Sequence, residues 1–189
     1  EYIHFDVMDG DFVPNLTFGP KFISDVRKYS NKIFDVHLMI NRVENFLDEY
    51  IDAGSDIISF HLEIDEDIEK IITRIKKKGL KCGLAIKPNT SWIEIQPYLN
   101  LIDQVIVMTV EPGFGGQAFM EDQIIKIKEI SNHLKSNNLN VEIEIDGGVN
   151  FETGQKCVEA GAHVLVAGSF LFNQGDLIKA TNTLSEKFN

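Results

Sequence analysis

Short apolar stretches rich in β-branched residues alternate with stretches of helical period along the chain. Each apolar stretch ends at polar or glycine-containing residues, a pattern typical of strands buried in a parallel sheet. The pattern predicts seven strands, at Ile3–Asp9, Phe34–Ile40, Ile57–Glu63, Lys81–Lys87, Gln104–Val110, Val141–Asp146 and Val164–Gly168.

Two of the intervening stretches have a clear helical spacing. The first has apolar side chains at i, i+3, i+4, i+7 and i+8, namely Val43, Phe46, Leu47, Tyr50 and Ile51. The second repeats the spacing with isoleucines from Ile68 to Ile75 and runs through three lysines to Gly79. Lysines at the negative end of a helix and a glycine after it indicate a helix terminus rather than a binding patch.

Strands that alternate with helices, with no hairpin signal, require parallel pairing through right-handed crossovers. Both an open doubly wound sheet and a closed (β/α)8 TIM barrel satisfy this requirement. Polar or glycine-rich residues follow at least five strands, which favours a barrel with chemistry all around its C-terminal face. Because such a barrel has eight strands, we expect one strand and its helix to precede Glu1. No linker divides the chain, so we expect residues 1–189 to form a single domain.

The charge balance narrows the choice of partners. The chain has 18 Lys and Arg against 29 Asp and Glu, a formal net charge of -11, which disfavours nucleic acid and anionic membranes. No apolar run approaches the roughly 20 residues of a membrane helix, so we expect a cytoplasmic protein. Cys82 and Cys157 lie far apart in apolar segments and are expected to be buried free thiols.

Histidines and carboxylates share faces of the predicted strands. His4, Asp6 and Met8 alternate on one face of the first strand, His37 shares a face with Met39, and Asp146 ends the strand in "EIEIDGG". If these faces line the barrel interior, His4, Asp6, His37 and Asp146 converge as two nitrogen and two oxygen ligands. This set suits Zn²⁺, Fe²⁺, Co²⁺ or Mn²⁺ better than Mg²⁺ or Ca²⁺.

Met8, Met39 and Met108 are expected to line the mouth of the same cavity. His61 ranks as structural, and Asp35, Glu142 and Glu144 as structural or supporting residues lower in their strands.

Three glycine-bearing loops follow three successive strands: "EPGFGG" (Glu111–Gly116), "DGGVN" (Asp146–Asn150) and "AGSF" (Ala167–Phe170). Backbone N–H groups in such loops can hold a phosphate without lysine, and the third loop opens a short helical stretch. The chain has no GxxxxGK[ST], GxGxxG or GxSxG motif. It therefore lacks the usual sites of nucleotide hydrolases, dinucleotide-dependent redox enzymes and serine hydrolases.

Two carboxylates, a metal and a phosphate anchor fit proton transfer next to a carbonyl. One carboxylate takes a proton from carbon, the metal stabilises the enediolate, and the other carboxylate returns a proton to the opposite face. Such a sequence inverts a stereocentre, so the expected reaction is epimerisation of a sugar phosphate.

Six segments, in this order, closely resemble the ribulose-phosphate 3-epimerase family: "HFDVMDGDFVPNLTFGP", "DVHLMI", "FHLE", "VMTVEPGFGGQAFM", "EIDGGV" and "AGSFLF". The resemblance implies a (β/α)8 barrel of the pentose phosphate pathway that interconverts D-ribulose 5-phosphate and D-xylulose 5-phosphate. It implies His4, Asp6, His37 and Asp146 as metal ligands, with Asp6 as proton acceptor and Asp146 as proton donor in one direction. The family's first strand, which offers a serine to the substrate, has no counterpart in this sequence.

The resemblance also implies the substrate contacts and the partners. The substrate and phosphate contacts are His37, Gly113, Phe114, Gly115, Gly116, Gly147, Gly148, Gly168 and Ser169. Zn²⁺ and Fe²⁺ rank first as the metal, followed by Co²⁺ and Mn²⁺, and family members commonly form dimers or hexamers. Two alternatives stay open: an epimerase for another ketose phosphate such as allulose 6-phosphate, and a catalytically silent barrel that only binds sugar phosphate.

Overall fold

The computed structural model describes residues 2–188, which form one parallel sheet with helices between its strands. The seven strands of this described part pair with their sequence neighbours in the order β1 to β7, and every one of these pairings is parallel. The strands are β1 (Tyr2–Met8), β2 (Ile33–Met39), β3 (Ile57–His61), β4 (Lys81–Ile86), β5 (Gln104–Met108), β6 (Glu142–Asp146) and β7 (Val164–Val166).

Helices connect the successive strands and cover the outside of the sheet. They are α1 (Pro20–Arg27), α2 (Val43–Asp52), α3 (Ile68–Lys77), α4 (Gln123–Ser136), α5 (Phe151–Ala160), α6 (Ser169–Phe172) and α7 (Leu177–Phe188), with a 3₁₀ helix at Trp92–Tyr98 between β4 and β5. Among residues 2–188, no helix has both the length and the apolar character needed to cross a membrane.

The consecutive strand order makes the sheet a nearly closed TIM-type barrel, as the sequence predicts. Within the described residues β1 and β7 pair on one side only, so the sheet has two edges. The expected eighth strand would precede Glu1 and lies outside the described residues.

Apolar residues on the outer faces of the strands pack against the apolar faces of the helices. In α3 the four buried positions are isoleucines at helical spacing, Ile68, Ile71, Ile72 and Ile75. The N-cap residue Asp67 begins this helix by accepting a hydrogen bond from the backbone N–H of Lys70. In α2 the predicted face is buried except for Phe46, which is 48% exposed.

Several predicted strands extend too far at their C-terminal ends. β3 ends at His61 rather than Glu63, β5 at Met108 rather than Val110, and β7 at Val166 rather than Gly168. Gly168 has φ -87° and ψ -87°, which is not an extended conformation, so the chain leaves the edge of the sheet before it. The polar and glycine residues after the strands therefore lie in loops above the barrel rather than within its sheet.

Candidate active site

Parallel pairing brings the four predicted metal ligands to one end of the barrel. In the register of β1 and β2, Asp6 is paired with His37, and Asp146 occupies the last position of β6. One ligand atom from each of His4, Asp6, His37 and Asp146 can be chosen so that all four atoms lie within 4.8 Å of one another. The structure therefore brings together residues from three separate strands, as expected from the alternation of side chains.

Three of the converging atoms lack hydrogen bonds within the described part of the chain. His4 Nε2 lies 3.3 Å from Asp6 Oδ1, and His37 Nδ1 lies 3.5 Å from Asp146 Oδ2. His4 Nε2, Asp6 Oδ1 and His37 Nδ1 are buried, and residues 2–188 provide none of them with a hydrogen-bond partner. Buried polar atoms without partners are costly. A divalent cation among two imidazole nitrogens and two carboxylates would satisfy them, so the donor set fits the predicted metal.

The ring of His4 is oriented from below by carboxylates. Its Nδ1 lies 2.7 Å from Asp35 Oδ2 and 3.3 Å from Glu144 Oε1. A carboxylate accepts a hydrogen bond from the N–H at Nδ1, which leaves the Nε2 lone pair directed at the cluster. Asp35 and Glu144 are fully buried, so they support the cluster, whereas Glu142 lies at the other end of β6 and pairs with Lys81.

The ring of His37 is held by a different kind of contact. Its Nε2 lies 3.0 Å from Nε2 of His61, and His61 Nδ1 lies 3.0 Å from Oε2 of Glu63. The other carboxylate oxygen of Glu63 accepts hydrogen bonds from the backbone N–H of Lys87 and from the hydroxyl of Thr90. His61, which the sequence ranks as structural, is completely buried and contacts a predicted metal ligand.

Opposite charges set the protonation of the cluster. Burial opposes ionisation of Asp6, but the neighbouring imidazoles of His37 and His4 bring its pKa well below the usual range. Burial likewise opposes protonation of His37, but the carboxylates of Asp146 and Asp6 raise its pKa to about 9. The pKa of His4 is also raised well above its ordinary value, because the effect of Asp35 outweighs burial. Without a metal, protons therefore occupy the place of a cation.

Below the cluster, Glu144 has the opposite electrostatic character. Burial and the neighbouring Asp35 raise the pKa of Glu144 to about 8, and the side-chain amide of Gln104 donates a hydrogen bond to it. His4, Asp35 and Glu144 form a second group with ligand atoms within 4.8 Å of one another. This group shares His4 with the upper cluster, and it supports that ring from the barrel interior.

A cavity of about 90 Å³ opens to solvent at Asp6 and Asp146. Asp6 and Asp146 contribute to its wall together with every predicted substrate-loop and methionine residue: Met8, Met39, Met108, Gly113, Phe114, Gly115, Gly116, Gly147, Gly148, Gly168 and Ser169. His37 lies beneath them in the cluster. The cavity wall also contains residues that the sequence did not single out for the site, including Gln117 and Val166.

Two adjacent glycines shape the loop that follows β6. Gly147 has φ +122°, and a Cβ atom there would lie 2.5 Å from a methyl group of Val110. Gly148 has φ +64°, and a Cβ atom would lie 2.8 Å from the backbone nitrogen of Phe119. Only glycine fits both the conformation and the space, so this loop brings its backbone close to the cavity.

Comparisons with known proteins show which family the chain resembles. The model of the "Ribulose-phosphate 3 epimerase family" matches residues 1–172. The chain is 42% identical to "Ribulose-phosphate 3-epimerase" of Bacillus subtilis over 183 residues, which is 96% of this chain and 84% of the relative. It is 41% identical to "Ribulose-5-phosphate-3-epimerase, chloroplastic" of Arabidopsis thaliana, over 95% of this chain and 65% of the relative.

Solved structures with lower sequence identity share the fold. The crystal structure of KGPDC from Streptococcus mutans superposes with a TM-score of 0.73 at 12% identity, covering 99% of this chain and 95% of that chain. At this identity the likeness supports the barrel fold alone.

Proposed function

The chain belongs to the ribulose-phosphate 3-epimerase family, and on that premise we propose that it is an isomerase that interconverts D-ribulose 5-phosphate and D-xylulose 5-phosphate. The two sugars differ only in configuration at C3. Their interconversion requires a proton to leave one face of that carbon and another to arrive at the opposite face, as in the non-oxidative pentose phosphate pathway.

The observation that carries the proposal is a pair of carboxylates in the wall of one cavity. Asp6 and Asp146 come from strands on different parts of the barrel, yet each offers an oxygen to the same cluster. The Asp6 side chain is 41% exposed although its Oδ1 is buried, so the rest of its carboxylate faces the cavity. In one direction Asp6 accepts the C3 proton and Asp146 donates a proton to the other face.

The proposed ligands of the metal are His4, Asp6, His37 and Asp146. When bound, a divalent cation would act as a Lewis acid that stabilises negative charge on the substrate oxygens. Asp6, whose pKa is well below its usual range, stays anionic near neutral pH and is therefore available as a base. Zn²⁺ and Fe²⁺ are the first candidates, and Co²⁺ and Mn²⁺ fit the same ligands.

The glycine loops provide the anchor for the phosphate. Gly147, Gly148, Gly168 and Ser169 lie in the cavity wall, in the loops that follow β6 and β7, where small residues let backbone N–H groups reach an anion. Met8, Met39 and Met108 are buried and add apolar surface to the cavity wall, which limits access of water to the reacting carbon. A fixed phosphate then holds C3 between the two carboxylates.

Turnover of purified protein tests the proposal. Protein prepared without chelator should contain about one divalent metal per chain, and it should convert D-ribulose 5-phosphate to D-xylulose 5-phosphate faster than it epimerises D-allulose 6-phosphate. Asp6→Asn and Asp146→Asn should each lower kcat by a factor of at least about 10².

Asp52→Asn provides the matched control, because Asp52 is exposed at the end of α2. It should retain full activity. Faster turnover of the hexulose phosphate would favour the related ketose-phosphate epimerase, and binding of sugar phosphate without turnover would favour a silent barrel. The homo-oligomeric state and the cytoplasmic location stay predictions.

A further inference from the structure

The two histidines of the cluster present different ring nitrogens to it. His4 directs Nε2 at the cluster, whereas His37 directs Nδ1. In an imidazole, the nitrogen that can bind a metal is the one that does not carry the proton, so each ring needs a partner on its other nitrogen. Asp35 provides that partner for His4.

The partner of His37 is an imidazole that donates or accepts according to its own neighbour. His61 Nδ1 faces Oε2 of Glu63 at 3.0 Å, and a carboxylate can only accept, so the proton of His61 lies on Nδ1. His61 is completely buried, and a neutral imidazole carries one N–H only. Its Nε2 is then an acceptor, and Nε2 of His37 at 3.0 Å must be the donor.

We propose that Glu63, acting through His61, is a positioning residue that selects Nδ1 of His37 as the metal-binding nitrogen. The order of donors runs from His37 to His61 to Glu63, and it leaves the Nδ1 lone pair of His37 directed at Asp6 and Asp146. The proposal rests on the function proposed above, in which His37 is a metal ligand.

The carboxylate that sets this order is fixed by the loop after β4. Oε1 of Glu63 accepts the backbone N–H of Lys87 at 2.8 Å and the hydroxyl of Thr90. The ammonium group of Lys126 donates to the carbonyls of Lys87 and Pro88 at 3.1 and 2.7 Å, which ties this loop to α4. Glu63 therefore presents its second oxygen to His61 from a fixed position.

Glu63→Gln tests the order of donors with little change of shape. The backbone N–H of Lys87 can only donate, so it requires the amide oxygen at the Oε1 position and leaves the amide NH₂ facing His61 Nδ1. When a metal occupies Nδ1 of His37, its ring proton is on Nε2 and the proton of His61 is on Nδ1. The N–H of His61 and the introduced amide NH₂ are then two donors that face each other. We expect a 10- to 100-fold weaker affinity for Zn²⁺.

Two variants control for effects on the loop rather than on the order of donors. Thr90→Val removes one hydrogen bond to Glu63 but leaves the carboxylate facing His61. Glu66→Gln makes the same chemical change in a carboxylate of the β3–α3 loop that accepts backbone N–H groups of Val43 and Glu44. Both variants should bind Zn²⁺ within about twofold of the wild-type Kd, measured by competition with a chelator.

Nitrogen-15 spectra of the full chain report the order directly. With ¹⁵N-labelled histidine, long-range proton–nitrogen correlations distinguish the two nitrogens of each of the five rings. In the Zn²⁺-loaded wild type we expect the proton of His61 on Nδ1 and that of His37 on Nε2. In metal-free Glu63→Gln with a neutral His37 ring, the proton of His61 should move to Nε2.

The outcomes separate the two proposals. A proton on Nε2 of His61 in the wild type, or unchanged Zn²⁺ affinity in Glu63→Gln, would overturn the positioning role of Glu63. Equal losses in Thr90→Val and Glu63→Gln would assign the effect to the loop and overturn it as well. A wild-type chain that binds no metal would instead contradict the proposed function. The ¹⁵N spectrum would still report the order of donors from His37 to Glu63, because it does not depend on metal binding.

Discussion

Protons and a metal compete for the same nitrogen of His37, so we expect the affinity for a divalent cation to rise with pH. The pKa of His37 in the metal-free molecule is about 9, because Asp146 and Asp6 stabilise its charged ring. A metal binds only the neutral ring, so the affinity is highest above this pKa and falls about tenfold for each pH unit below it. At pH 7 the reduction from His37 alone is about 100-fold, or about 3 kcal/mol.

His4 adds to this competition in the same direction. Its pKa is raised well above the ordinary value by Asp35. Two protons must leave when a metal binds both rings at neutral pH, so log Kd should fall by one to two units for each unit increase of pH.

Chelator competition with Zn²⁺ at a series of pH values near neutrality measures this slope, after correction for the chelator's own proton binding. Isothermal titration calorimetry in buffers of different ionisation enthalpy counts the released protons independently. A log Kd that changes by less than about half a unit over one pH unit near neutrality would refute the reasoning.

Three further predictions concern stability. Gly148→Ala should lower the free energy of unfolding by about 1–3 kcal/mol and raise KM for the sugar phosphate, because its Cβ would meet the backbone of Phe119 at 2.8 Å. Gly10 has a similar φ, but a Cβ atom there would have no atom of the described residues within 4 Å. Gly10→Ala should therefore lose less stability, and this smaller loss measures the cost of the backbone conformation alone when both variants are compared by thermal unfolding. Ile71→Ala should cost about 2–5 kcal/mol in urea unfolding because Ile71 is fully buried, whereas Ile178→Ala, at a position 74% exposed, should change stability by less than about 0.5 kcal/mol. The pKa of His61 is lowered from 6.5 to about 4, so its contribution is complete above pH 6.5 and is lost as the pH falls through 4, by up to about 3 kcal/mol. Because the raised pKa of Glu144 changes stability in the opposite direction, the effect is measured in metal-free protein as the difference in unfolding free energy between the wild type and His61→Gln, and a difference that stays constant over this interval would contradict it.

The strands and the cluster were predictable because both depend on local patterns. Alternation places His4 and Asp6 on one face of β1, and parallel pairing in register then places His37 beside Asp6. The position of Asp146 at the end of β6 follows from the same rule. The two-residue repeat of strand side chains and the parallel pairing of the strands were sufficient to locate all four residues at one end of the barrel.

The role of His61 could not be predicted in the same way. Ser59 and His61 alternate on one face of β3, which is consistent with His61 pointing inward, but every residue of β3 is buried and the alternation does not show which side chain His61 contacts. Glu63 lies beyond the end of the strand, and its partners Lys87 and Thr90 come from the loop after β4. The contact between His37 and His61 depends on rotamers and loop conformation, which periodicity does not encode.

The hydrophobic pattern also did not predict where the strands end. Apolar residues such as Val110 continue past the last paired residue of β5, because they pack over the cavity rather than within the sheet. The 3₁₀ helix at Trp92–Tyr98 has a proline inside it and is too short for its period to stand out.

Exchange of the C3 hydrogen with solvent deuterium, measured separately from each epimer, tests the central claim most directly. With one carboxylate on each face of C3, Asp6→Asn and Asp146→Asn should give complementary patterns. Each variant should lose exchange from the epimer whose proton its missing carboxylate accepts and retain exchange from the other. Exchange from both epimers in either variant, at the wild-type rate, would contradict a mechanism in which Asp6 and Asp146 transfer protons on opposite faces.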